Sequence, residues 1–296
     1  MKQIVVISGK GGTGKTTLTA AFSQLAGNAV LADCDVDAAD LFLVIKPENF
    51  RKEAEDFFSG YKFKVDKNWC SGCEKCIEVC RFDAIEMITA NRDNPDWKIA
   101  RIDPLACEGC GCCADVCPAE AIKSEDAHSG QIFIANTRFG PMIYGKLGIA
   151  ESNSGKLVAA IRKYALEIAD EEKSEYIVID GSPGIGCPVI ASLSGVNHAV
   201  IVTEPTLSGL HDLERILRLC RHFNISASVI INKYDLNPEI SDKLEQYCKQ
   251  EQINLAGKIA FDKIFVQANS SGKTIFEYAP DSEVAREVEE LWTHIA

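Results

Sequence analysis

The sequence lacks an apolar stretch long enough to cross a bilayer, since its longest apolar runs fall far short of the roughly 20 residues that a membrane helix needs. It also lacks an excess of basic residues, with 31 lysines and arginines against 43 aspartates and glutamates and a formal net charge of −12. Nucleic-acid binding depends on lysine and arginine contacts to phosphates, so we expect no nucleic-acid partner and no membrane span. No secretory segment precedes the apolar stretch QIVVIS, and we expect a cytoplasmic location.

Cysteine, in contrast, is abundant, with thirteen residues in a chain of 296. Eight of these cysteines form two runs of the same spacing, CxxCxxCxxxC, which start 37 residues apart, at Cys70 and Cys107. The members of the two runs are Cys70, Cys73, Cys76 and Cys80, and Cys107, Cys110, Cys113 and Cys117. The repetition of one four-cysteine pattern indicates an internal duplication.

This spacing is that of bacterial ferredoxins, which bind two 4Fe-4S clusters and in which the fourth cysteine of each run ligates the other cluster. The predicted ligands are Cys70, Cys73, Cys76 and Cys117 for cluster 1, and Cys80, Cys107, Cys110 and Cys113 for cluster 2. Thiolate sulfur is the soft ligand that such clusters need. Pro118 follows the second run as in ferredoxins, whereas Arg81 follows the first. Cys112 is out of register and is interpreted as a neighbour of a cluster, not a ligand.

Structural zinc and disulfide bridges are the alternative uses of paired cysteines. A zinc site takes four ligands in one tetrahedral arrangement and does not require this repeated run. Disulfides are typical of secreted chains, and this sequence is interpreted as cytoplasmic. The iron-sulfur interpretation is therefore preferred.

A glycine-rich loop follows the first apolar segment, Gln3 to Ser8. Its residues GKGGTGKTT satisfy the P-loop pattern, and a helical pattern from Thr16 to Leu25 follows directly. The backbone N–H groups of such a loop surround phosphate oxygens, Lys15 reaches the outer phosphates and the Thr16 hydroxyl ligates magnesium. The predicted nucleotide-binding residues of the loop are Gly9, Lys10, Gly11, Gly12, Thr13, Gly14, Lys15, Thr16 and Thr17.

Lys10 is a second lysine inside this loop. With it, GKGGTGKTT resembles the deviant Walker A motif of the MinD, Mrp and nitrogenase iron protein group of P-loop ATPases. The resemblance implies ATP and Mg²⁺ as ligands, catalytic roles for Lys10 and Lys15, and a nucleotide-sandwich homodimer in which Lys10 reaches the partner's phosphates. The alternative for Lys10 is an exposed lysine with no special partner.

The resemblance extends to three further segments. DCDVDAADL is similar to the family's switch I, which implies that Asp35 orients or activates the attacking water and that Asp33 lies near the magnesium. IVIDGSPGIGCPV is similar to switch II, which implies that Asp180 holds magnesium through water and that Gly184 moves with the γ-phosphate. Asn232, in INKYD, stands where the family places an asparagine against the adenine ring. The ordinary alternatives are a carboxylate-rich turn and a turn residue at the end of a strand.

Short β-branched runs alternate with helical patterns, which predicts an α/β fold with a doubly wound, mainly parallel sheet. The predicted strands are residues 3–8, 29–32, 132–135, 176–180, 198–203, 228–232 and 257–260. The predicted helices after the first are residues 155–169, 208–223, 239–250 and 283–295. We expect a P-loop ATPase domain of residues 1–60 and 127–296, with a small α+β bacterial-ferredoxin domain, residues 61–126, inserted after switch I.

Together, the motifs predict an ATPase whose nucleotide-gated dimer controls electron transfer from two 4Fe-4S clusters to a protein partner. An alternative is an ATPase that assembles or delivers an iron-sulfur or metal cofactor to a client metalloprotein. A third is a MinD-like positioning ATPase. Relatives of that kind use a basic amphipathic C-terminal helix, whereas the segment DSEVAREVEELWTHIA is acidic, so we expect its apolar stripe to pack on the sheet.

Two further observations concern the remaining cysteines. Mrp-type carriers use a CxxC pair near the C-terminus, and no such pair follows Cys117. Cys187 lies seven residues after Asp180, at the offset of one cluster cysteine of the nitrogenase iron protein. We hypothesise that two Cys187 thiols approach each other across a nucleotide-bound dimer. The alternative is a small buried residue that packs the start of a helix.

Overall fold

The computed structural model describes residues 1–91, 94–148 and 154–296. The described chain forms two compact units. The first unit comprises Met1–Glu55, Gly130–Leu147 and Ser154–Ala296, and the second is built mainly from Asp56–Ser129. No helix within the described ranges is both long enough and apolar enough to span a membrane.

The strands and helices alternate along the first unit, while the second contains mostly short elements. In chain order the strands are β1 (Lys2–Ile7), β2 (Ala29–Asp33), β3 (Asn49–Val65), β4 (Ile85–Asn91), β5 (Asn94–Ile102), β6 (Ile122–Thr137), β7 (Gly140–Leu147), β8 (Tyr176–Asp180), β9 (His198–Thr203), β10 (Ser226–Asn232) and β11 (Asn254–Ile259). The helices are α1 (Lys15–Ala26), α2 (Leu41–Ile45), α3 (Lys75–Val79), α4 (Cys112–Asp115), α5 (Ser154–Glu171), α6 (Cys187–Leu193), α7 (Leu207–His222), α8 (Pro238–Gln250), α9 (Lys263–Ser270), α10 (Ile275–Tyr278) and α11 (Glu283–Ile295).

A nine-stranded mixed sheet has the order β11-β10-β9-β1-β8-β2-β7-β6-β3. The seven strands from β11 to β7 run parallel, and β6 pairs with β7 in the antiparallel direction. Parallel strands are covered on both faces, so they are built from continuous apolar runs. The central strand β1 follows this rule, since Ile4, Val5, Val6 and Ile7 have no exposed surface. The predicted α/β fold with a mainly parallel sheet is confirmed.

The predicted strand at residues 132–135 is present and belongs to the antiparallel part of the mixed sheet. These residues belong to β6, which forms a hairpin with β7 in which Phe133 pairs with Tyr144 and Thr137 with Gly140. The sequence analysis did not predict β7. Its segment contains Pro141 and Gly145, two residue types depleted in strands, and this weakens the sequence pattern that would predict it.

The C-terminal helix α11 packs its apolar stripe into the core of the first unit, as predicted. The buried side chains of this stripe are Val284, Val288, Leu291, Trp292 and Ile295. They belong to the same apolar cluster as Ile230 of β10 and Ile259 of β11. The acidic residues of the helix lie on its other face, which is the usual arrangement for a helix that covers a sheet.

The second unit contains the hairpin of β4 and β5, in which Met87 pairs with Ala100, and the two short helices α3 and α4. Its apolar cluster is small. The buried members are Cys76, Ile85, Ala100, Cys113 and Ile122. Cysteines therefore take up core positions that larger apolar side chains occupy in most domains.

Candidate functional site

The glycine-rich loop joins β1 to α1 at the carboxyl edge of the parallel strands, where α/β proteins bind ligands. Gly14 caps the helix with a φ of +92°, in the left-handed region that favours glycine. A Cβ atom at Gly14 would also lie 2.4 Å from Nδ2 of Asn232. Glycine is therefore required here both by the backbone and by the neighbouring strand end.

Lys15 is buried at the start of α1 and lies among carboxylates from two strand ends. Its Nζ is 2.8 Å from Oδ1 of Asp180, which ends β8, and 3.3 Å from Oδ2 of Asp35, which follows β2. Burial lowers the pKa of Lys15, but the negative charges of Asp180 and Asp35 raise it more, so the net pKa lies above the ordinary value. The lysine is therefore a buried cation held by two acids.

The two residues predicted to ligate magnesium through a hydroxyl and a carboxylate are adjacent. Thr16 donates a hydrogen bond of 2.7 Å from Oγ1 to Oδ2 of Asp180. Thr19, which the sequence reading did not single out, donates from Oγ1 to Oδ1 of the same carboxylate at 3.1 Å. Asp180 is fully buried, and its two oxygens are thus oriented by three donors from α1.

Asp33 and Asp35 have different surroundings. The carboxylate of Asp33 is fully buried and accepts the backbone N–H groups of Asp35 at 3.1 Å and Leu41 at 3.2 Å. Burial and the neighbouring Asp180 raise the pKa of Asp33 well above its ordinary value, against the opposing charge of Lys15. In this structure Asp33 therefore shapes the loop after β2, whereas the Asp35 carboxylate faces Lys15 directly.

The segments that resemble switch I and switch II are hydrogen-bonded to each other. The backbone N–H of Cys34 donates to the carbonyl of Asp180 at 2.8 Å, and Oγ of Ser182 donates to the carbonyl of Cys34 at 2.5 Å. Gly184 donates its N–H to the carbonyl of Ser8, at the entrance of the glycine-rich loop, at 2.9 Å. A movement of one segment must therefore be accommodated by the other.

Lys10 has polar partners within its own chain. The alternative of an exposed lysine with no special partner therefore does not describe Lys10 in this structure. Its Nζ donates to Oγ1 of Thr206 at 3.1 Å and lies 3.5 Å from Oε2 of Glu204. Glu204 also forms an ion pair with Lys233, whose Nζ donates to the carbonyl of Gly12 at 2.9 Å. The sequence analysis singled out neither Glu204 nor Thr206.

A cavity of about 570 Å³, counting the part open to solvent, lies beside the loop. Its lining consists of Gly12, Gly14, Thr17, Leu18, Asn232, Lys233, Ala260, Phe261, Asp262, Phe265, Val266 and Asn269. Asn232 donates from Nδ2 to the carbonyl of Thr13 at 2.7 Å, and Asn269 donates from Nδ2 to Oγ1 of Thr17 at 2.7 Å. Apolar walls with a few amide groups suit a planar nucleobase. Helix α9 supplies part of this lining, and its sequence contains no motif that would have predicted this role.

The eight cysteines of the two runs line two cavities of the second unit. The Cys70 cavity, of about 340 Å³ including its open part, contains Cys70, Cys73, Cys76 and Cys117 in its lining. The Cys107 cavity, of about 330 Å³, contains Cys80, Cys107, Cys110, Cys112 and Cys113. Each cavity thus combines cysteines of both runs.

Backbone contacts repeat at the offset of 37 residues. Asp66 donates its N–H to the carbonyl of Ala121 at 2.7 Å, and Asp103 donates to Ala84 at 2.8 Å, so each repeat is paired with the other. A close approach between a glycine and a backbone carbonyl oxygen also occurs in both repeats. The Cβ position of Gly72 lies 2.6 Å from the carbonyl oxygen of Lys98, and that of Gly109 lies 2.1 Å from the carbonyl oxygen of Tyr61. The sequence duplication is therefore also a structural duplication.

The thirteen cysteines are free thiols, so the structure contains no support for the disulfide alternative. In residues 1–91, 94–148 and 154–296, no three His, Cys, Asp or Glu side chains form a group suited to a single metal ion. Two sulfurs also accept backbone N–H groups, Cys70 from Ala100 at 3.5 Å and Cys117 from Ala121 at 3.3 Å.

Cys187 is exposed at the first position of α6, in contrast to the alternative of a buried packing residue. The remaining cysteines of the first unit, Cys34, Cys220 and Cys248, are buried. The structure therefore leaves Cys187 accessible but brings no second thiol to it within the described chain.

Comparisons with known proteins agree with this geometry. Residues 4–275 match the family model of the CobQ/CobB/MinD/ParA nucleotide binding domain. An uncharacterized protein of Methanocaldococcus jannaschii is 37% identical over 238 residues, which are 79% of each chain. A cytosolic Fe-S cluster assembly factor, the NUBP1 homolog of Brugia malayi, is 26% identical over 150 residues, 45% of this chain and 48% of that protein.

A solved structure, the septum site-determining protein MinD from Pyrococcus horikoshii in complex with Mg-ADP, aligns with a TM-score of 0.56. The alignment covers 99% of this chain and 95% of that one at 18% identity, which shows a shared fold. The family model covers most of the chain and includes the glycine-rich loop, the switch-like segments and Asn232. The protein belongs to the CobQ/CobB/MinD/ParA family and has its ATP-binding P-loop NTPase fold.

Proposed function

We propose that the protein hydrolyses ATP and binds two 4Fe-4S clusters, and that a nucleotide-gated homodimer controls electron transfer from the clusters to a protein partner. The observation that carries the proposal is the grouping of eight cysteines around two cavities. Each cavity takes three cysteines from one run and the fourth from the other, as in bacterial ferredoxins. The family fold supports the nucleotide-binding half of the proposal.

The nucleotide site has the charges that ATP and Mg²⁺ require. Thr16 and Asp180 would hold magnesium, because a hydroxyl and a carboxylate lie together at the start of α1. Lys15 is a permanent cation beside them and would neutralise phosphate charge. Asp35 would orient the attacking water, and Asn232 would contact the base, since it lines the apolar cavity beside the loop.

The dimer part of the proposal depends on Lys10. In this structure its ammonium group is engaged by Thr206 and Glu204 of the same chain. To reach the phosphates bound by a second copy, Lys10 would have to leave these partners. ATP would supply the compensating interaction, because its phosphates carry more negative charge than the single carboxylate of Glu204 and accept charge-assisted hydrogen bonds from a lysine.

The cysteine sets fit the clusters on three counts. Four thiols of the two runs line each cavity, each set combines both runs, and the left-handed residues Gly72, Glu74, Gly109 and Gly111 let the backbone turn tightly around the cavities. When bound, a 4Fe-4S cluster supplies one-electron transfer. We propose that residues 61–126 form a ferredoxin domain and that the protein works in a reducing compartment, where thiols stay free.

The proposal is tested on the full chain purified without oxygen. We expect two clusters per chain by iron and sulfide content, and an ATP-dependent dimer by analytical ultracentrifugation. We also expect that ATP and a non-hydrolysable analogue change the rate of electron transfer to a redox dye, whereas ADP does not. Iron-free protein with full ATPase activity, or a transfer rate insensitive to every nucleotide, would contradict the proposal.

The partner is sought with the variant Asp35→Ala, in which slow hydrolysis should keep the ATP-bound dimer closed. An anaerobic affinity purification with ATP should retain a redox protein that ADP releases. Asp37→Ala is the matched control, since Asp37 is an exposed carboxylate two residues away. Equal recovery of the protein with both variants would argue against a partner specific to the closed form.

A second candidate function is the assembly or delivery of an iron-sulfur or metal cofactor. The partial similarity to a cytosolic Fe-S cluster assembly factor favours it. Labelled iron should then move from this protein to an apo-protein when ATP is added, and no such movement is expected of a pure electron carrier. The positioning function is disfavoured because the apolar stripe of α11 is buried in the core. ATP-dependent binding to lipid vesicles would be evidence for that function.

A further inference from the structure

The two cysteine-lined cavities are related by duplication but have different walls. Phe63 and Phe82 line the Cys107 cavity. At the equivalent positions, 37 residues later, the other repeat has Ala100 and Ala119. The Phe63 ring also lies close to the cysteine loop, since its Cζ is 3.5 Å from the Cβ position of Gly111. The Cys107 cavity is therefore the one bordered by aromatic rings.

The two cavities also differ in the hydrogen bonds that their cysteine sulfurs accept, and here the Cys70 cavity has more of them. In the Cys70 cavity, Ala100 donates its N–H to Cys70 at 3.5 Å and Ala121 donates its N–H to Cys117 at 3.3 Å. In the described part of the second unit, the amides at the equivalent positions of the other repeat donate to neither sulfur of the Cys107 set. The cavity without aromatic rings thus has two additional backbone donors.

Fixed negative charge does not offset this difference, whereas one cation opposes it. Lys62 donates from Nζ to the carbonyl of Cys107 at 3.1 Å, and a cation at this carbonyl favours reduction in the Cys107 cavity. Each cavity has one carboxylate in its lining, Glu74 in the Cys70 cavity and Glu108 in the Cys107 cavity, and both are exposed. Cys112 also belongs to the lining of the Cys107 cavity, but it is exposed and a thiol is a weak donor. Met87 adds an apolar side chain to the Cys70 cavity, but no ring. The rings and the N–H donors lie at the cavities and the sulfurs themselves, so we expect them to outweigh a cation bound to a backbone carbonyl.

Both differences act on reduction in the same direction. Reduction adds one negative charge to a cluster, and N–H groups directed at the ligand sulfurs stabilise that charge. Apolar rings exclude water and leave the added charge less well solvated. The Cys70 cavity should therefore favour the reduced form and the Cys107 cavity should disfavour it.

We propose that a cluster bound in the Cys70 cavity has a higher reduction potential than a cluster bound in the Cys107 cavity. This inference rests on the proposed function, which places a 4Fe-4S cluster in each cavity. An electron added to the protein resides at least tenfold more often in the Cys70 cavity. A tenfold preference corresponds to about 59 mV for a one-electron couple.

The test is a potentiometric titration of the anaerobically reconstituted full chain, followed by electron paramagnetic resonance. Two midpoints are expected. Each midpoint is assigned to a cavity with a cysteine variant. Cys73→Ala and Cys110→Ala remove exposed ligands at equivalent positions of the two repeats. Cys73→Ala should abolish the higher midpoint and Cys110→Ala the lower. The reverse assignment overturns the inference.

The wall residues are tested with Phe82→Ala and Phe63→Ala, each of which should raise the lower midpoint and leave the higher one unchanged. Phe82 is 44% exposed, so its removal disturbs packing less than that of Phe63. Phe58→Ala is the control, because Phe58 is exposed and lines neither cavity. Should a cysteine variant lose both clusters, the shift in Phe82→Ala decides the assignment.

The outcomes separate this inference from the proposed function. Two bound clusters with one shared midpoint overturn the inference and leave the proposed function standing. A lower midpoint that is unchanged in both phenylalanine variants also overturns it. Protein that binds no iron after reconstitution overturns the proposed function, and the inference with it.

Discussion

The two units of the protein differ in what fills their cores. The first unit has a continuous apolar core in which strand segments, such as Ile4–Ile7 of β1, are fully buried. The second unit has a small cluster that includes Cys76 and Cys113 and surrounds two cysteine-lined cavities. Small domains with little apolar core usually need metals or cross-links for stability. We therefore expect the first unit to be stable by its own packing and the second to depend on bound clusters.

The largest effect should come from removing a buried thiol of the second unit. Cys76→Ser is expected to halve the bound iron and to make the second unit susceptible to proteolysis, because metal-binding free energy contributes directly to folding. ATP binding by the first unit should change little. Iron content, limited proteolysis and nucleotide affinity, all measured without oxygen, check this contrast.

Cys220→Ser is the matched control for that experiment, because Cys220 is also a buried free thiol but lies in the first unit. It should leave the iron content unchanged. A parallel loss of iron in both variants would show that the two units do not differ in the way we infer.

The next largest effect concerns the buried cation of the first unit. Lys15→Met should lower the rate of ATP hydrolysis by about 10² or more, as expected for the loss of an electrostatic contact to the transferred phosphate. It should also destabilise the first unit by about 3 kcal/mol, because Asp180 and Asp35 lose their partner. Denaturant unfolding and steady-state hydrolysis measure the two effects.

Lys243→Met is the control for Lys15, since Lys243 forms an exposed ion pair on α8. It should change neither quantity by a measurable amount. Iron content should stay normal in both lysine variants. A loss of iron in Lys15→Met would mean that the two units are coupled in folding, contrary to the comparison.

A smaller and more selective effect is expected for Lys10→Ala. Its ammonium group lies outside the buried carboxylate cluster, so ATP affinity of the monomer should change by no more than about threefold. The ATP-dependent dimer should be lost, because the proposed contact to the second copy is removed. Analytical ultracentrifugation with ATP distinguishes these outcomes, with Lys163→Ala on the exposed face of α5 as the control. Persistence of the dimer would exclude a role for Lys10 in closure.

The smallest effect is expected at a half-buried ion pair of the first unit. Arg138 donates from Nε to Glu277 at 2.6 Å. Burial raises the pKa of Glu277, but Arg138 and the amide of Thr274 lower it more, so the net pKa lies below 4.5. The stabilising contribution is therefore complete above pH 4.5 and is lost as the pH falls through the lower folded-state pKa.

Glu277→Gln should accordingly cost about 1 kcal/mol at neutral pH and should show a weaker loss of stability as the pH falls below 4.5. Urea unfolding at several pH values measures both quantities. The cost should be the same with and without bound iron, because the contact belongs to the first unit alone. A dependence of this stability cost on bound iron would contradict the distinction between the two cores.

Much of the fold was predictable because its pattern is local. The buried runs of β1, β8 and β9 and the 3.6-residue periodicity of α7 and α11 are properties of short contiguous segments. The hairpin of β6 and β7 was not predictable in the same way. Proline and glycine in β7 hide its strand pattern, and only pairing with β6 and β2 stabilises it.

The sequence alone determined the family, the glycine-rich loop and the two cysteine runs, because each depends on spacing within a few residues. Only the tertiary structure decided that Lys10 contacts Glu204 and Thr206, that α9 completes the wall beside Asn232, and that aromatic rings border one cysteine cavity. These contacts join residues far apart in the chain. They depend on strand order and helix packing, which local spacing does not encode.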